Sequence, residues 1–463
     1  MVQPFGIPEI LCLICQQARR SDLARLLATS HLFFDCAMPL VWRCLPGSAP
    51  IILMKLIPDA NNYLKNNSDD TLAESLKPLD AQLLLRFNLY APHVKKLIRH
   101  RRNRQSNVIW ALSSEDVIHD PASCLAVYLS PTLVAIENIH LRDAYSCLGS
   151  QGFCELVSSI ARQCPYIHSF ELGNMGYRTE AGFNLASKLA NSLKQLYYLR
   201  KLKLGKVVLE PEVLTALSTL PNLESLAIEE MSSSEIKPLD ASFSTNGFPA
   251  LRHLGINPIY SLTLVTQVWN VTALVQQLTS VSLPLQRLWL SGEINHSYEA
   301  HWDSEHFARA FPSMEYLRIE GYHLTFKDLA FIAKHMSRLR RLSARVKMNS
   351  NWPSGDGLSS FVLTPSSSCL CFHLQIVDPN TFLEMHSGLT IKEIEAIAAG
   401  LHALWPEGII CESYRRPDKG GDLRYTDRIN AALGQLREVD GQSNQTELML
   451  QNSACKRIPP WVE

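Results

Sequence analysis

The chain has 463 residues, 46% of them hydrophobic and 19% charged, which suits a folded protein of two or more domains or one elongated repeat array. Its 44 basic residues equal its 44 acidic ones, so net charge points to neither nucleic acid nor an acidic surface as partner. No apolar run is long enough to span a bilayer. Met1 to Cys15 lacks a basic start and has Glu9 inside its apolar part, so it is not expected to act as a secretory signal. The 12 scattered cysteines read as thiols of a reducing compartment.

Ile7 to Trp42 predicts three short helices. Pro8 suits a first helical turn, where its missing N–H is no loss. Ser21 or Asp22 can cap a second helix and Ser30 a third. Ile10, Leu11, Leu13 and Ile14 cover more than one helical face, as do Leu23, Leu26 and Leu27. A unit of about forty residues is marginal as a single core. It is expected to bury apolar surface against the rest of the chain or a partner.

After Trp42 an apolar run, Ile51 to Ile57, stops at Pro58, and Asn61 to Asp70 reads as a surface loop. Leu83, Leu84, Phe87 and Tyr90 are spaced for a helix over Leu79 to Tyr90. From about Val94 a repeat emerges: apolar, two variable residues, apolar, one variable residue, apolar. It fits Ile167-Phe170-Leu172, Leu199-Leu202-Leu204, Leu223-Leu226-Ile228, Leu251-Leu254-Ile256, Leu285-Leu288-Leu290 and Met314-Leu317-Ile319. Weaker copies are Leu339-Leu342-Ala344 and Cys371-Leu374-Ile376, with degenerate ones at Val94-Leu97 and Leu133-Ile136. From Leu133 on, the starts fall 24 to 34 residues apart, close to the leucine-rich range. Residues two apart share one face of a short strand. Amphipathic helices lie between the copies, as in Phe153-Leu156-Val157-Ile160, Leu185-Leu189-Leu193-Leu196 and Leu329-Ile332-Ala333-Met336. The expected fold is therefore α/β: three N-terminal helices, then an irregular leucine-rich-repeat solenoid with a curved parallel sheet and outer helices. Ile391 to Leu404 predicts a last helix, ended by Pro406. Beyond Arg415 the composition turns polar and Gly-rich, so residues 411–463 are expected to be a weakly ordered tail, with one helix conceivable over Ile429 to Leu436.

These features resemble the F-box proteins with leucine-rich repeats. Family F-boxes open with Leu-Pro and a Glu, continue into a Leu-rich helix and an Asp-Leu pair, and close on Trp. Ile7-Pro8-Glu9-Ile10-Leu11, Asp22-Leu23 and Trp42 match that order. The resemblance implies an F-box over residues 5–45, a helical linker over 46–91 and a substrate-binding solenoid over 92–410. It further implies that Ile7, Pro8, Ile10, Leu11, Leu23 and Trp42 lie at or near the interface with a Skp-type adaptor, and through it a cullin scaffold. The chain would then recruit an unknown protein substrate for ubiquitination, in the cytoplasm and/or nucleus, and would itself be no enzyme. The alternatives are a leucine-rich-repeat interaction scaffold without a ubiquitin-ligase role, or a plain helical cap on the solenoid's open end.

Other constellations carry less. Cys12-x-x-Cys15 is half a zinc pattern, with no second pair at finger spacing. Lys95, Lys96, Arg99, His100, Arg101, Arg102 and Arg104 form a basic cluster that reads as a solvated loop, an import signal or a phosphate-reading patch; no nucleic-acid motif accompanies it. His296, His301 and His306 are five apart, which does not place them on one helical face; Asp303 or Ser304 caps the helix that follows. Arg340, Arg341, Ser343 and Arg345 occupy variable strand positions. Arg341 and Arg345 are therefore candidate contacts for an anionic substrate, against ordinary solvated surface. Trp289, between Leu288 and Leu290, is expected on the concave face as an anchor for a protein ligand, or packed against the neighbouring repeat. There is no Gly-x-Ser-x-Gly, no His-Glu-x-x-His and no phosphate loop. No catalytic residue, cofactor or metal is expected.

Overall fold

The computed structural model describes residues 7–46, 89–90, 93–98, 134–140, 154, 157–173, 185–205, 210–230, 247–258, 276, 278–281, 283–290, 303–347, 352–353, 365–377, 389–412 and 425–439. The described residues fall into two compact units that divide between Ala250 and Leu251.

The first unit opens with three helices, α1 (Pro8–Gln17), α2 (Arg20–Leu26) and α3 (His31–Trp42). Pro8 stands at the start of α1, where no intrahelical bond is lost. The Ser30 hydroxyl caps α3 by accepting from Phe33 N at 3.2 Å. The cap position of α2 is Arg19, without a side-chain cap, so Ser21 and Asp22 fall inside its first turn. Asp22 there sits near the positive end of the helix dipole instead. Leu11, Cys15, Leu23, Cys36 and Ala37 form the buried core, flanked by Leu26, Leu27, Leu32 and Phe33.

Six strands follow: β1 (Cys44–Pro46), β2 (Lys96–Ile98), β3 (Ala135–His140), β4 (Ser169–Gly173), β5 (Lys201–Leu204) and β6 (Ser225–Glu230). Each pairs in parallel with the next, in chain order. Parallel neighbours require a crossover between them. The amphipathic spacing supplies it, with helical residues 157–163, α4 (Leu185–Leu193) and α5 (Pro211–Ser218). Helices α4 and α5 pack on each other as β5 and β6 do, which is the logic of a stacked repeat. Register aligns Leu202 with Leu226 and Leu204 with Ile228, and all four are buried. The repeat's first residues, Ile167, Leu199 and Leu223, are buried with them.

The second unit repeats the plan with β7 (His253–Pro258), β8 (Arg287–Leu290), β9 (Tyr316–Leu324), β10 (Arg341–Lys347), β11 (Leu370–Val377) and β12 (Ile409–Glu412), again parallel and in chain order. Its described helices include residues 278–281 and then α6 (Ser304–Ala310), α7 (Phe326–His335), α8 (Ile391–Leu404) and α9 (Tyr425–Val439), the last four each packed on the next. Asp303 is the cap of α6, accepting from His306 N at 3.0 Å, while the Ser304 hydroxyl donates to Asp328 at 2.6 Å. Asp328 closes a capping box with Thr325 on α7, and Thr390 with Glu393 closes another on α8. Between the layers lie the aligned residues Leu254, Leu288, Leu317 and Leu342, all fully buried. Fully burying one such side chain is worth about 1.5–3 kcal/mol.

The last copy departs from its template. Phe372, Leu374 and Ile376 are the buried residues of β11's inner side, so Cys371, expected as the copy's first apolar residue, lies on the opposite face. The expectation of a weakly ordered tail from 411 also fails over part of its length. Residues 425–439 form α9, whose Ile429 and Leu433 are fully buried against the unit. Three α9 side chains bond to strand backbone, among them Arg437, which donates to Ile409 O. The Asn430 carboxamide accepts from Cys411 N at 2.9 Å and donates to Cys411 O at 2.8 Å. The Tyr425 hydroxyl donates to Leu374 O at 3.1 Å and accepts from Ile376 N at 3.4 Å. The proposed linker helix lies outside the described residues except for Leu89 and Tyr90, and Ile51 to Ile57 lies wholly outside them.

Close packing makes one glycine informative. A Cβ at Gly400 on α8 would stand 2.9 Å from Phe326 Cε2 and 3.1 Å from Trp352 Nε1. Trp352 is itself held there by its Nε1–H donating to Ala396 O at 2.9 Å. Gly400→Ala should therefore lower stability by about 1–3 kcal/mol despite alanine's better helix propensity. Gly434→Ala on α9 meets nothing within 4 Å and should instead stabilise slightly. Urea denaturation of the two variants checks the opposite signs.

Candidate functional site

The helical unit offers the first candidate surface. Leu11, Cys15 and Leu23 are inside it, but Ile10, Leu13 and Ile14 on the other side of α1 are 38%, 62% and 40% exposed. Their spacing of three and four places them side by side on one helical face. Leu11 and Leu23 were expected at a partner interface; both are buried in the core of the unit. The physical reason is helix period: in a three-helix unit one stripe of α1 must face α3, and Leu11 and Cys15 make that stripe. Ile7 stands at the N-cap of α1 and Pro8 is exposed at its first turn, where the Pro8 carbonyl accepts from Cys36 Sγ at 3.6 Å. Trp42 is half-buried and stacks on Tyr90 at 4.6 Å between ring centroids, so part of its surface serves the fold.

Burial raises the thiol pKa values of Cys15 and Cys36, and Cys12 beside them raises both further. They are held as thiols, the form that neither ligates metal nor attacks. That fits Cys12-x-x-Cys15 as part of a packed helix.

The second surface is the sheet face of the second unit opposite its leucine rows. Strand register lines up His253, Arg287, Tyr316, Arg341, Cys371 and Ile410 in one row. The next row holds Gly255, Trp289, Arg318, Ser343, His373 and Glu412. The Arg318 guanidinium lies 4.7 Å from the centroid of the Trp289 ring. Trp289 is half-buried, with its ring against a residue of the neighbouring repeat. Arg341 is buried rather than presented, and Arg345 is half-buried with its Nε donating to Gln375 Oε1 at 3.3 Å. Neighbouring strands about 4.8 Å apart let long side chains lie along the sheet instead of standing off it.

At the end of these rows the chemistry concentrates. His373 Nε2 is 2.9 Å from Glu412 Oε2. The Glu412 carboxyl is held below its ordinary range, first by the hydrogen bond with His373, with Cys371 and the Arg341 charge adding to it against the opposing effect of burial. Cys371, His373 and Glu412 offer ligand atoms all within 4.8 Å of one another, the one such group among the described residues. This group was not found from sequence because Glu412 was assigned to the tail and Cys371 to the apolar side. The strand pairing of His373 with Glu412 is the signal that finds it.

A third feature escaped sequence reading. Tyr166, Tyr197 and Tyr198 are exposed, and Tyr198 lies 5.4 Å from Tyr166 and 5.3 Å from Tyr197 between ring centroids. They occupy the turns that lead into β4 and β5. Of the histidine cluster only His306 is described, exposed on α6; of the basic cluster, Lys95 and Lys96 are. No helix among the described residues is long and apolar enough to cross a membrane.

No family model matches the sequence. No curated protein matches it either. Among solved structures, the chain is similar to one in the crystal structure of a TLR13–ssRNA13 complex, at 15% identity and a TM-score of 0.32. The match covers 72% of this chain and 41% of that one, so the chain spans less than half of that neighbour's length. At that level the likeness adds nothing to the repeat architecture already given by strand register.

Proposed function

We propose that the chain is a substrate-recruiting adaptor of a Skp–cullin–F-box ubiquitin ligase. In this reading α1–α3 docks on a Skp-type adaptor and the repeat units hold a protein substrate. Ubiquitin transfer belongs to the conjugating enzyme, and this chain supplies proximity and orientation. The support is twofold: the order Ile7-Pro8-Glu9, Asp22-Leu23 and Trp42, and the exposed face of α1. The observation that carries the reading is that face, since Ile10, Leu13 and Ile14 form an apolar patch that the unit's own core does not use.

The test is co-purification of the full chain with a Skp-type adaptor and cullin. Ile10→Asp with Leu13→Asp should lower adaptor binding by about 100-fold, the effect of exposing two side chains otherwise buried on docking. Both positions are exposed, so circular dichroism should be unchanged. Binding that survives the double variant overturns the docking face. Recovery of the adaptor without cullin would favour the alternative, an interaction scaffold with no ubiquitin-ligase role.

A further inference from the structure

We propose that Cys371, His373 and Glu412 form a zinc site on the sheet face of the second unit, binding the ion through a thiolate, an imidazole nitrogen and a carboxylate oxygen. The site is distinct from the helical docking face, and nothing in it depends on the ubiquitin-ligase reading.

Cys371 and His373 are two apart on β11 and so share a face, and Glu412 on β12 is the register partner of His373. Two adjacent paired strands thus fix all three ligands, and strands position a site more closely than loops do. The α9 helix secures both strands, with Tyr425 bonded to the β11 backbone and Asn430 to that of β12.

Sulfur, imidazole and carboxylate are the donors zinc takes, at about 2.3, 2.0 and 2.1 Å. Two such light ligands on a tetrahedral ion stand about 3.3 Å apart. His373 Nε2 and Glu412 Oε2 are already 2.9 Å apart, and all three donor atoms lie within 4.8 Å of one another. The imidazole and carboxylate are thus near zinc spacing, with the thiol beside them on the same face.

Charge and access complete the site. Binding releases the Cys371 thiol proton and breaks the Nε2–H bond to Glu412, that hydrogen leaving as a proton or moving to Nδ1, so that Nε2 is free for the metal. Thiolate and carboxylate together neutralise the ion, so the centre carries no net charge in register with the Arg341 guanidinium. Cys371 is buried, while the His373 and Glu412 side chains are 21% and 34% exposed. The fourth coordination position therefore opens to solvent on the Glu412 side, as in three-ligand zinc sites that keep a water or accept a ligand.

The experiment uses the full chain, stripped with a chelator and titrated with zinc against a competing chromophoric chelator. Cobalt(II) in place of zinc reports the thiolate ligand through its sulfur-to-metal charge-transfer band. Wild type should bind zinc and show the band, and Cys371→Ser should lose it. His373→Gln and Glu412→Gln should weaken zinc binding by at least about tenfold, the lower end of what losing even an outer partner costs. Circular dichroism should be unchanged in all three, because each substitution keeps nearly the same volume. Cys12→Ser, in the helical unit, should bind zinc as wild type does. A wild type that takes up no zinc, or Cys371→Ser and His373→Gln variants that bind it as tightly as wild type, overturns the site.

Discussion

Leu11→Ala is expected to unfold the three-helix segment while leaving the strands of the first unit paired. Leu11 is fully buried at the centre of the cluster with Cys15, Leu23, Cys36 and Ala37. Truncating such a leucine costs about 2–5 kcal/mol, because the transfer energy is lost and a cavity remains. In a segment of about forty residues, near the lower size limit for a single core, that exceeds the local stability. Hydrogen exchange read by mass spectrometry on the full chain should show protection lost across Pro8–Trp42 and kept across Lys201–Leu204. Leu13→Ala, two residues away but exposed, should leave both regions protected. Equal protection in the two variants would mean that Leu11 is not the keystone of this core.

Phe372→Ala is expected to be the most damaging single change in the second unit. The ring is fully buried on the inner side of β11, between strands β10 and β12. Its removal should cost about 3–5 kcal/mol, and Phe372→Leu, which keeps most of the volume, clearly less. Urea denaturation followed by circular dichroism should show an earlier loss of structure in the alanine variant, as one transition or as a new early phase. Repeat arrays can melt in parts when one interface weakens. An early phase would identify β11 as a weak joint of the array, and a midpoint equal to that of wild type would refute the core assignment of Phe372.

The repeat was legible because its pattern has one physical cause. Residues such as Leu199, Leu202 and Leu204 are apolar since each lies between a strand layer and a helix layer, and nothing polar is tolerated there. The helix starts at Pro8, Ser30 and Asp303 were readable for the same reason, as each supplies a local bond or conformation. What sequence could not settle was direction and pairing. Leu11 and Leu13 are equally apolar, and only the position of α3 decides which of them is inside. Cys371 fits the apolar template as well as any leucine, but strand register pairs Leu342 with Phe372 and Ala344 with Leu374, so the copy's strand residues start two positions earlier and Cys371 aligns with Arg341 on the other face. The Cys371–His373–Glu412 group joins residues some forty positions apart, and it exists only through the pairing of β11 with β12. Helix α9 was legible only over Ile429 to Leu436, the stretch that holds its buried Ile429 and Leu433, and its polar surface hid the rest.

The bonds between Asn430 and Cys411 cover a rung at the outer edge of β12. Cys411 turns its N–H and C=O away from β11, on the side of β12 where another strand would pair, and one carboxamide satisfies both. A single side chain thus imitates the next rung of the ladder. An open edge of parallel backbone is a template on which a second molecule can add a strand, and chains manage this hazard by covering such edges. By occupying that rung, α9 acts as an end-stop against edge-to-edge aggregation as well as a brace for the strands beneath it.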